Sequence, residues 1–117
     1  MHVSRASLKG HRLQENRDFR KVFARGRSVA NRYFVLYVSK KRSSEASRIG
    51  FSVSKKVGNA VVRNRVKRLL REVCRLQIGD WEHGVDLIVI ARKEAAALSY
   101  VDVEKQILQL FKRGKVL

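Results

Sequence analysis

Apolar residues change their spacing several times along the chain, and each change predicts a different element of secondary structure. Phe19, Val22 and Phe23 lie at intervals of three or four residues, which places them on one face of a short helix. Asn16 is the predicted N-cap of this helix and Gly26 its end. The preceding residues, 1–14, show no periodicity and are predicted to form a loose basic arm.

Two stretches in the first half of the chain alternate in the manner of half-buried strands. In SVANRYFVLYVSKK, residues 28–41, Phe34, Leu36 and Val38 are predicted to share one face. The other face of that strand carries Tyr33, Val35 and Tyr37. A second strand is predicted in RIGFSVSKK, residues 48–56, and the polar KRSSEASR between the two predicts a hairpin loop.

The last third of the chain supplies one more strand and one more helix. VDLIVIA, residues 85–91, is a short apolar run typical of a strand buried on both faces. Ser99 and Asp102 resemble a capping box at the start of a helix. The apolar stripe of this helix consists of Val103, Ile107, Leu110 and Phe111.

Between the second and last predicted strands lies a segment that is both periodic and strongly basic. At helical spacing its apolar residues form one stripe, made of Val62, Val66, Leu69, Val73 and Leu76. Leu70 flanks this stripe and Cys74 lies near its edge. Basic residues occupy the opposite arc, namely Arg63, Lys67, Arg68, Arg71 and Arg75. Because the stripe attaches the helix to a sheet, the cations are expected to form a fixed array.

The order of elements is helix, one or two strands, strand, helix, strand, helix. This order predicts one α/β (α+β) domain over residues 1–117, with no linker or internal repeat. The expected architecture is a two-layer sandwich in which about three helices pack on a small mixed sheet of three or four strands.

The charge balance indicates the class of partner. Twenty-seven lysines and arginines against ten acidic residues give a formal net charge of +17. Self-repulsion on this scale favours a polyanionic partner, most simply the backbone of a nucleic acid. No apolar run approaches the roughly 18 residues of a membrane span. The lone Cys74 and the absence of an apolar leader are typical of a cytoplasmic protein.

Two features near the ends of the predicted elements suit RNA. SKKVGNA places Lys55, Lys56 and Asn59 beside the first turn of the basic helix, where free N–H groups attract phosphate. Phe19 and Phe23 stand among cations, and two interpretations remain open for them. They either belong to the core or stack on unpaired bases.

No pattern in the sequence supports catalysis by the protein itself. Its acidic residues are scattered, and His2, His11 and His83 do not have the spacing of metal ligands. We therefore expect neither catalytic residues nor a metal site in this chain.

Three blocks of the sequence resemble one known family. SVSKKVGNAVVRNRVKRLLRE, residues 52–72, is similar to the signature of the bacterial ribonuclease P protein subunit. ENRDFRKVFARGRSVANRYFVLYV, which starts at Glu15, looks like the family's first helix and strand, and DLIVIARK like its last strand. The resemblance extends from about Arg12 to Phe111.

The resemblance implies a division of labour between RNA and protein. A catalytic RNA would remove the 5′ leader of precursor tRNA, using Mg²⁺ held mainly by the RNA. The protein would be an accessory subunit of this endoribonuclease. Its own charge of +17 favours a monomer that needs no protein partner, because two copies would repel each other. Its fold would contain a left-handed β-α-β crossover, although right-handed connections are the strong default.

The resemblance also implies two sets of RNA-binding residues. The set expected to face the RNA subunit comprises Asn59, Arg63, Asn64, Arg65, Lys67, Arg68 and Arg71. The set expected around the cleft for the leader comprises Phe19, Phe23, Tyr37, Lys55, Lys56, Arg92 and Lys93.

Other classes of protein remain as alternatives. Composition alone supports a structural RNA-binding module, such as a ribosomal protein, equally well. A DNA-binding domain lacks an obvious base-reading set on the basic helix. A protein-only nuclease would cleave RNA without an RNA subunit.

Overall fold

The computed structural model of the chain describes residues 8, 10–42, 44–77, 81 and 84–117. Three α-helices, four strands and one 3₁₀ helix follow one another in this part of the chain. In order, they are α1 (Asn16–Arg25), β1 (Arg27–Ala30), β2 (Phe34–Lys40), β3 (Arg48–Ser52), α2 (Ala60–Gln77), β4 (Val85–Ala91), the 3₁₀ helix Lys93–Ala97 and α3 (Tyr100–Arg113). None of the helices in these ranges is long and apolar enough to cross a membrane.

The four strands form one mixed sheet in the order β1-β2-β4-β3. β1 and β4 both run antiparallel to β2, whereas β3 runs parallel to β4. The parallel neighbours β3 and β4 are joined through α2, so β3, α2 and β4 form a β-α-β crossover. The predicted α+β class, with a small mixed sheet and three helices, is confirmed.

Of the one or two strands predicted over residues 28–41, the structure has two, which form a β1–β2 hairpin with Asn31 in its turn. The Oδ1 atom of Asn31 accepts hydrogen bonds from the backbone N–H groups of Tyr33, at 2.9 Å, and Phe34, at 3.0 Å. The prediction of a hairpin loop between β2 and β3 is wrong. The polar loop after β2 does not join neighbouring strands, because β4 lies between β2 and β3. β4 is buried on both faces and takes this interior position, as its continuous apolar run favours.

The two faces of the sheet carry different helices. Alternate residues such as Leu36, Leu87 and Val89 point into the main core, which α2 and α3 cover. Ile88 points to the opposite face, where it packs with Val22 of α1. Among the described residues, α1 and Leu13 pack on this face over β2 and β4, and the rest of the face is not covered by them.

The buried face of α2 differs from the predicted stripe. Val66, Leu70, Val73 and Cys74 are buried, whereas Leu69, Val62 and Leu76 are only partly buried. The covered face is centred on Leu70 and Cys74 because α2 packs against α3 and shares the main core with residues of the sheet. Burial raises the pKa of the Cys74 thiol, so Cys74 is a neutral core residue.

Two of the three helix-end residues predicted from the sequence are confirmed. Gly26 ends α1, and Ser99 caps α3 by accepting a hydrogen bond from the backbone N–H of Asp102 at 3.2 Å. Asn16, however, is not the N-cap of α1. Glu15 holds that position, and its side chain makes no capping hydrogen bond.

The predicted loose arm is corrected for the part that the structure describes. Residues 1–7 and 9 lie outside the described residues. Leu13 and Ile49 bond along the edge of β3, with the N–H of Leu13 donating to the carbonyl of Ile49 at 2.9 Å. Leu8 and Leu13 are both buried. Apolar residues inside a basic segment hold it against the sheet.

Candidate nucleic-acid interface

Aromatic side chains line one edge of the uncovered sheet face. The rings of Phe19 and Phe23 on α1 lie 6.4 Å apart, and Phe23 meets Tyr37 of β2 edge-on at 5.0 Å. Phe23 is 42% exposed, whereas Phe19 is partly buried against the smaller core beneath α1. The structure thus brings the three predicted aromatic residues together, with Phe23 the most accessible.

Beside these rings, the uncovered sheet face forms the floor of a cleft, and its residues were not among those predicted to bind the leader. Val35, Ile90 and Ser52 lie side by side across β2, β4 and β3, on the same face as Tyr37. All three are partly exposed. Ile90 is the one residue of β4 that is not buried. We define the aromatic cleft as Phe19, Phe23, Tyr37, Val35, Ile90 and Ser52.

A glycine makes room for α1 on the sheet. A Cβ atom at Gly50 of β3 would lie 2.5 Å from the Cζ atom of Phe19, closer than side-chain carbons approach each other. Phe19 therefore occupies the space that any other residue at position 50 would fill. The backbone of β3 and the ring of Phe19 position each other.

Four charged side chains hold α1 beside the cleft. Arg48 of β3 donates two hydrogen bonds to Asp86 of β4, at 3.1 and 2.9 Å, and its Nη1 atom lies 3.4 Å from Asp18 of α1. Lys41 adds a second contact to Asp86 at 2.8 Å. Burial alone would raise the pKa of Asp86, but hydrogen bonds from Arg48 and Lys41 outweigh it and lower that pKa. We refer to these four residues as the α1 clamp.

Basic residues stand at one end of the cleft. Lys55 and Lys56 follow β3, in a turn closed by the backbone N–H of Val57, which donates to Ser54 at 3.0 Å. Arg92 and Lys93 follow β4, and all four side chains are exposed. Because β3 and β4 are parallel neighbours, both pairs leave the same end of the sheet. The cleft is therefore bordered by cations where the two strands end.

The predicted RNA-subunit residues lie along α2. Asn64, Arg68 and Arg71 are exposed, and Arg63 and Lys67 are partly exposed. Asn59 is the N-cap of α2, since its Oδ1 atom accepts a hydrogen bond from the backbone N–H of Val62 at 3.0 Å. The cap starts the helix, and the buried stripe fixes its rotation, so these cations keep defined positions.

Arg65 differs from its neighbours on α2. Its guanidinium donates to the backbone carbonyls of Leu98, at 2.9 Å, and Ala96, at 3.3 Å. These carbonyls lie at the end of the 3₁₀ helix that leads from β4 to α3. Arg65 thus joins α2 to the connection after β4, a structural role that its place in the basic motif did not indicate.

A groove of about 290 Å³ connects the two predicted sets of residues. Its walls include Phe19 from the aromatic cleft and Lys67 and Arg71 from α2. The groove runs past β3, because β3 is an edge strand of the sheet. The groove therefore links Phe19 of the aromatic cleft with Lys67 and Arg71 on the basic face of α2.

In the part of the chain that the structure describes, no three histidine, cysteine, aspartate or glutamate side chains lie close enough together to hold a metal ion. Asp18 and Asp86 converge, but their partners are Arg48 and Lys41. The chemistry available on this surface is that of phosphate binding and base stacking.

Comparison with known proteins gives one consistent result. A family model described as Ribonuclease P matches residues 8–115. The ribonuclease P protein component of Brevibacillus brevis is 49% identical over 109 residues, which cover 93% of this chain and 86% of that protein. The Staphylococcus aureus RNase P protein has a similar structure, with a TM-score of 0.84 and 38% identity over 91% of this chain and 96% of that one. The Thermotoga maritima RNase P protein gives a TM-score of 0.78 and 37% identity, covering 87% and 96% of the two chains. The chain therefore belongs to the family of bacterial ribonuclease P protein components, the protein subunits of a tRNA-processing endoribonuclease.

Proposed function

We propose that the protein binds two RNA molecules through the two connected parts of this surface. The basic face of α2 binds the catalytic RNA subunit, and the aromatic cleft binds the single-stranded 5′ leader of precursor tRNA. The observation that carries the proposal is the groove that joins Phe19 to Lys67 and Arg71. Both ligands can then be held at once, side by side, on a protein of this size.

The α2 face suits the folded RNA subunit because the helix that carries its cations is already folded before binding. Such a helix loses less conformational entropy on binding than a disordered basic segment. Arginine in particular grips phosphate with a planar fork of donors. A structural RNA-binding module such as a ribosomal protein, which composition left open, is not favoured by the family to which the chain belongs.

The aromatic cleft suits a single strand because its floor is partly apolar and its border is cationic. Bases can stack on the rings of Phe23 and Phe19 while Lys55, Lys56, Arg92 and Lys93 neutralise the phosphates. In the proposed holoenzyme, Mg²⁺ is bound mainly by the RNA, which performs the cleavage in the cytoplasm. The protein acts by positioning the leader relative to the RNA.

Reconstitution tests this proposal directly. Precursor-tRNA cleavage is measured at low Mg²⁺ with a bacterial ribonuclease P RNA alone, with this protein alone and with both. We expect cleavage at the leader junction only when both are present. Cleavage by the protein alone would identify a protein-only nuclease instead. If the RNA cleaves equally well with and without the protein, the proposal is refuted.

Substitutions of two arginines on α2 are expected to differ in their effects on RNA binding and on thermal stability. Arg68→Ala should weaken assembly with the RNA subunit and reduce the log–log salt slope by about one, because one phosphate contact is lost. Arg65→Ala should also lower the melting temperature, since it leaves the carbonyls of Ala96 and Leu98 without their donor. Filter binding over a salt series and thermal unfolding measure the two effects. A stable Arg65→Ala variant, or an unchanged slope for Arg68→Ala, would contradict these assignments.

A further inference from the structure

A second, larger groove lies between the segment that precedes α1 and the C-terminal half of α2. Its volume is about 710 Å³, and its polar lining comes from both sides. These polar residues are Arg12, Gln14, Arg68, Arg71, Glu72 and Arg75. Arg12, Gln14 and Arg75 were not among the predicted RNA-binding residues, so this groove extends the surface in a new direction. We call it the N-terminal groove.

Arg12 is held in place by its neighbours. The N–H of Ile49 donates to the carbonyl of His11 at 2.7 Å, and the N–H of Leu13 donates to the carbonyl of Ile49 at 2.9 Å. The Nδ1 atom of His11 also bonds the carbonyl of Ser47 at 2.8 Å. Leu13 is 4% exposed and packs beneath α1, while Arg12 itself is exposed. The backbone on both sides of Arg12 is therefore hydrogen-bonded to β3.

The charges around the N-terminal groove are unbalanced. Four guanidinium groups face one carboxylate, that of Glu72, which already bonds Arg75 on the same helix. Within the described ranges of the chain, Arg12, Arg68 and Arg71 form no ion pair. Three unpaired cations around one concave surface repel each other and attract a polyanion.

We propose that the N-terminal groove binds the sugar–phosphate backbone of the RNA subunit, and that Arg12 contacts phosphate there together with Arg68 and Arg71. This inference rests on the proposed function of α2. The RNA subunit is favoured over the leader because one wall of the groove is α2 itself. The smaller groove shares Arg12, Gln14 and Arg71, so the two grooves join around the edge of β3.

The test compares Arg12→Ala with Arg17→Ala, which removes the same charge from an exposed arginine that is paired with Glu15 outside the groove. Affinity of the full-length protein for ribonuclease P RNA is measured over a salt series. Arg12→Ala should bind roughly tenfold more weakly at moderate salt, with a slope lower by about one, and Arg17→Ala should resemble the wild type. Circular dichroism should show that both variants are folded.

The affinity of the assembled holoenzyme for precursor tRNA is measured alongside, with leaders of different length. If Arg12→Ala weakens leader binding but not assembly, the groove belongs to the leader and the inference is overturned. Equal affinity of Arg12→Ala and wild type for both RNAs overturns it as well. Cleavage with the wild-type protein is the separate check on the proposed function, because it does not depend on Arg12.

Discussion

Replacing Arg48 with methionine is expected to lower the free energy of unfolding by about 2–3 kcal/mol. Removing one partner of a fully buried ion pair costs about 3–5 kcal/mol, because the other charge stays buried without compensation. The expected loss is smaller here because the Arg48 side chain is 32% exposed and Lys41 still contacts Asp86. Urea unfolding at fixed salt measures the difference.

A matched control is available on the surface of the same protein. Arg17 pairs with Glu15 at 3.0 Å, but both side chains are largely exposed, at 70% and 62%. Arg17→Met makes the same chemical change at an exposed pair and should leave stability nearly unchanged. If Arg48→Met costs no more than Arg17→Met, the α1 clamp contributes nothing to the fold.

The effect of Arg48→Met should depend on pH. The pKa of Asp86 is lowered in the folded protein. The ionised carboxylate therefore contributes its full stabilisation of the fold above the unfolded pKa of about 3.9. The contribution is lost as pH falls through the lower, folded value. The stability difference between wild type and variant should therefore be largest near neutral pH and shrink below about pH 4. A difference that stays constant on acidification would show that Asp86 is not the group involved.

The holoenzyme is expected to bind precursor tRNA more tightly than mature tRNA, because the leader adds contacts. Removing the ring of Phe19 should reduce this difference in binding free energy by about 1–3 kcal/mol, the value of one stacked base. The ring also packs on Gly50 and the smaller core, so Phe19→Ala should lower stability as well. Phe19→Leu separates the two roles, since leucine keeps apolar contacts but offers no ring for stacking. Equilibrium binding of precursor and mature tRNA to the holoenzyme gives the preference.

Two further variants complete this test. Phe111→Leu removes a ring from the main core, on the opposite face of the sheet, and should reduce stability without changing the preference for a leader. Gly50→Ala should displace Phe19 without removing it and weaken leader binding in the same direction. If Phe19→Leu lowers stability but leaves the preference for a leader unchanged, Phe19 is a core residue. Stacking in the cleft is then left to Phe23 and Tyr37.

Local patterns predicted the elements of the fold but not their arrangement. The run VDLIVIA predicted a strand buried on both faces, and Ser99 predicted the start of α3, because each depends on a few adjacent residues. The place of β4 between β2 and β3 depends on pairings such as Ser39 with Asp86 and Arg48 with Asp86. Residues so distant in sequence leave no local signal, so a hairpin between β2 and β3 was the natural but wrong prediction.

The same limit applies to the candidate site. The basic motif identified α2, and the aromatic residues identified α1 and β2, because composition carried both signals. The bonds of Arg65 to the carbonyls of Ala96 and Leu98 could not be predicted. Every residue has a backbone carbonyl, so the sequence does not mark the ones that accept a hydrogen bond. The α1 clamp could not be predicted either. Asp18 and Asp86 are far from Arg48 in the sequence, and only the folded chain brings them into contact with it.

The strand order also constrains when the protein can become functional during its synthesis. Both β2 and β3 pair with β4, which is the last strand to be made. Chains are synthesised from the N-terminus, and non-local pairing of this kind forms slowly. A nascent chain interrupted before Val85 would carry the cations of α2 but lack β4 and α3, which pack with α2 in the main core. Such a fragment would bind RNA through its charge alone, and the fixed arrangement of the basic face would form only after β4 and α3 are made.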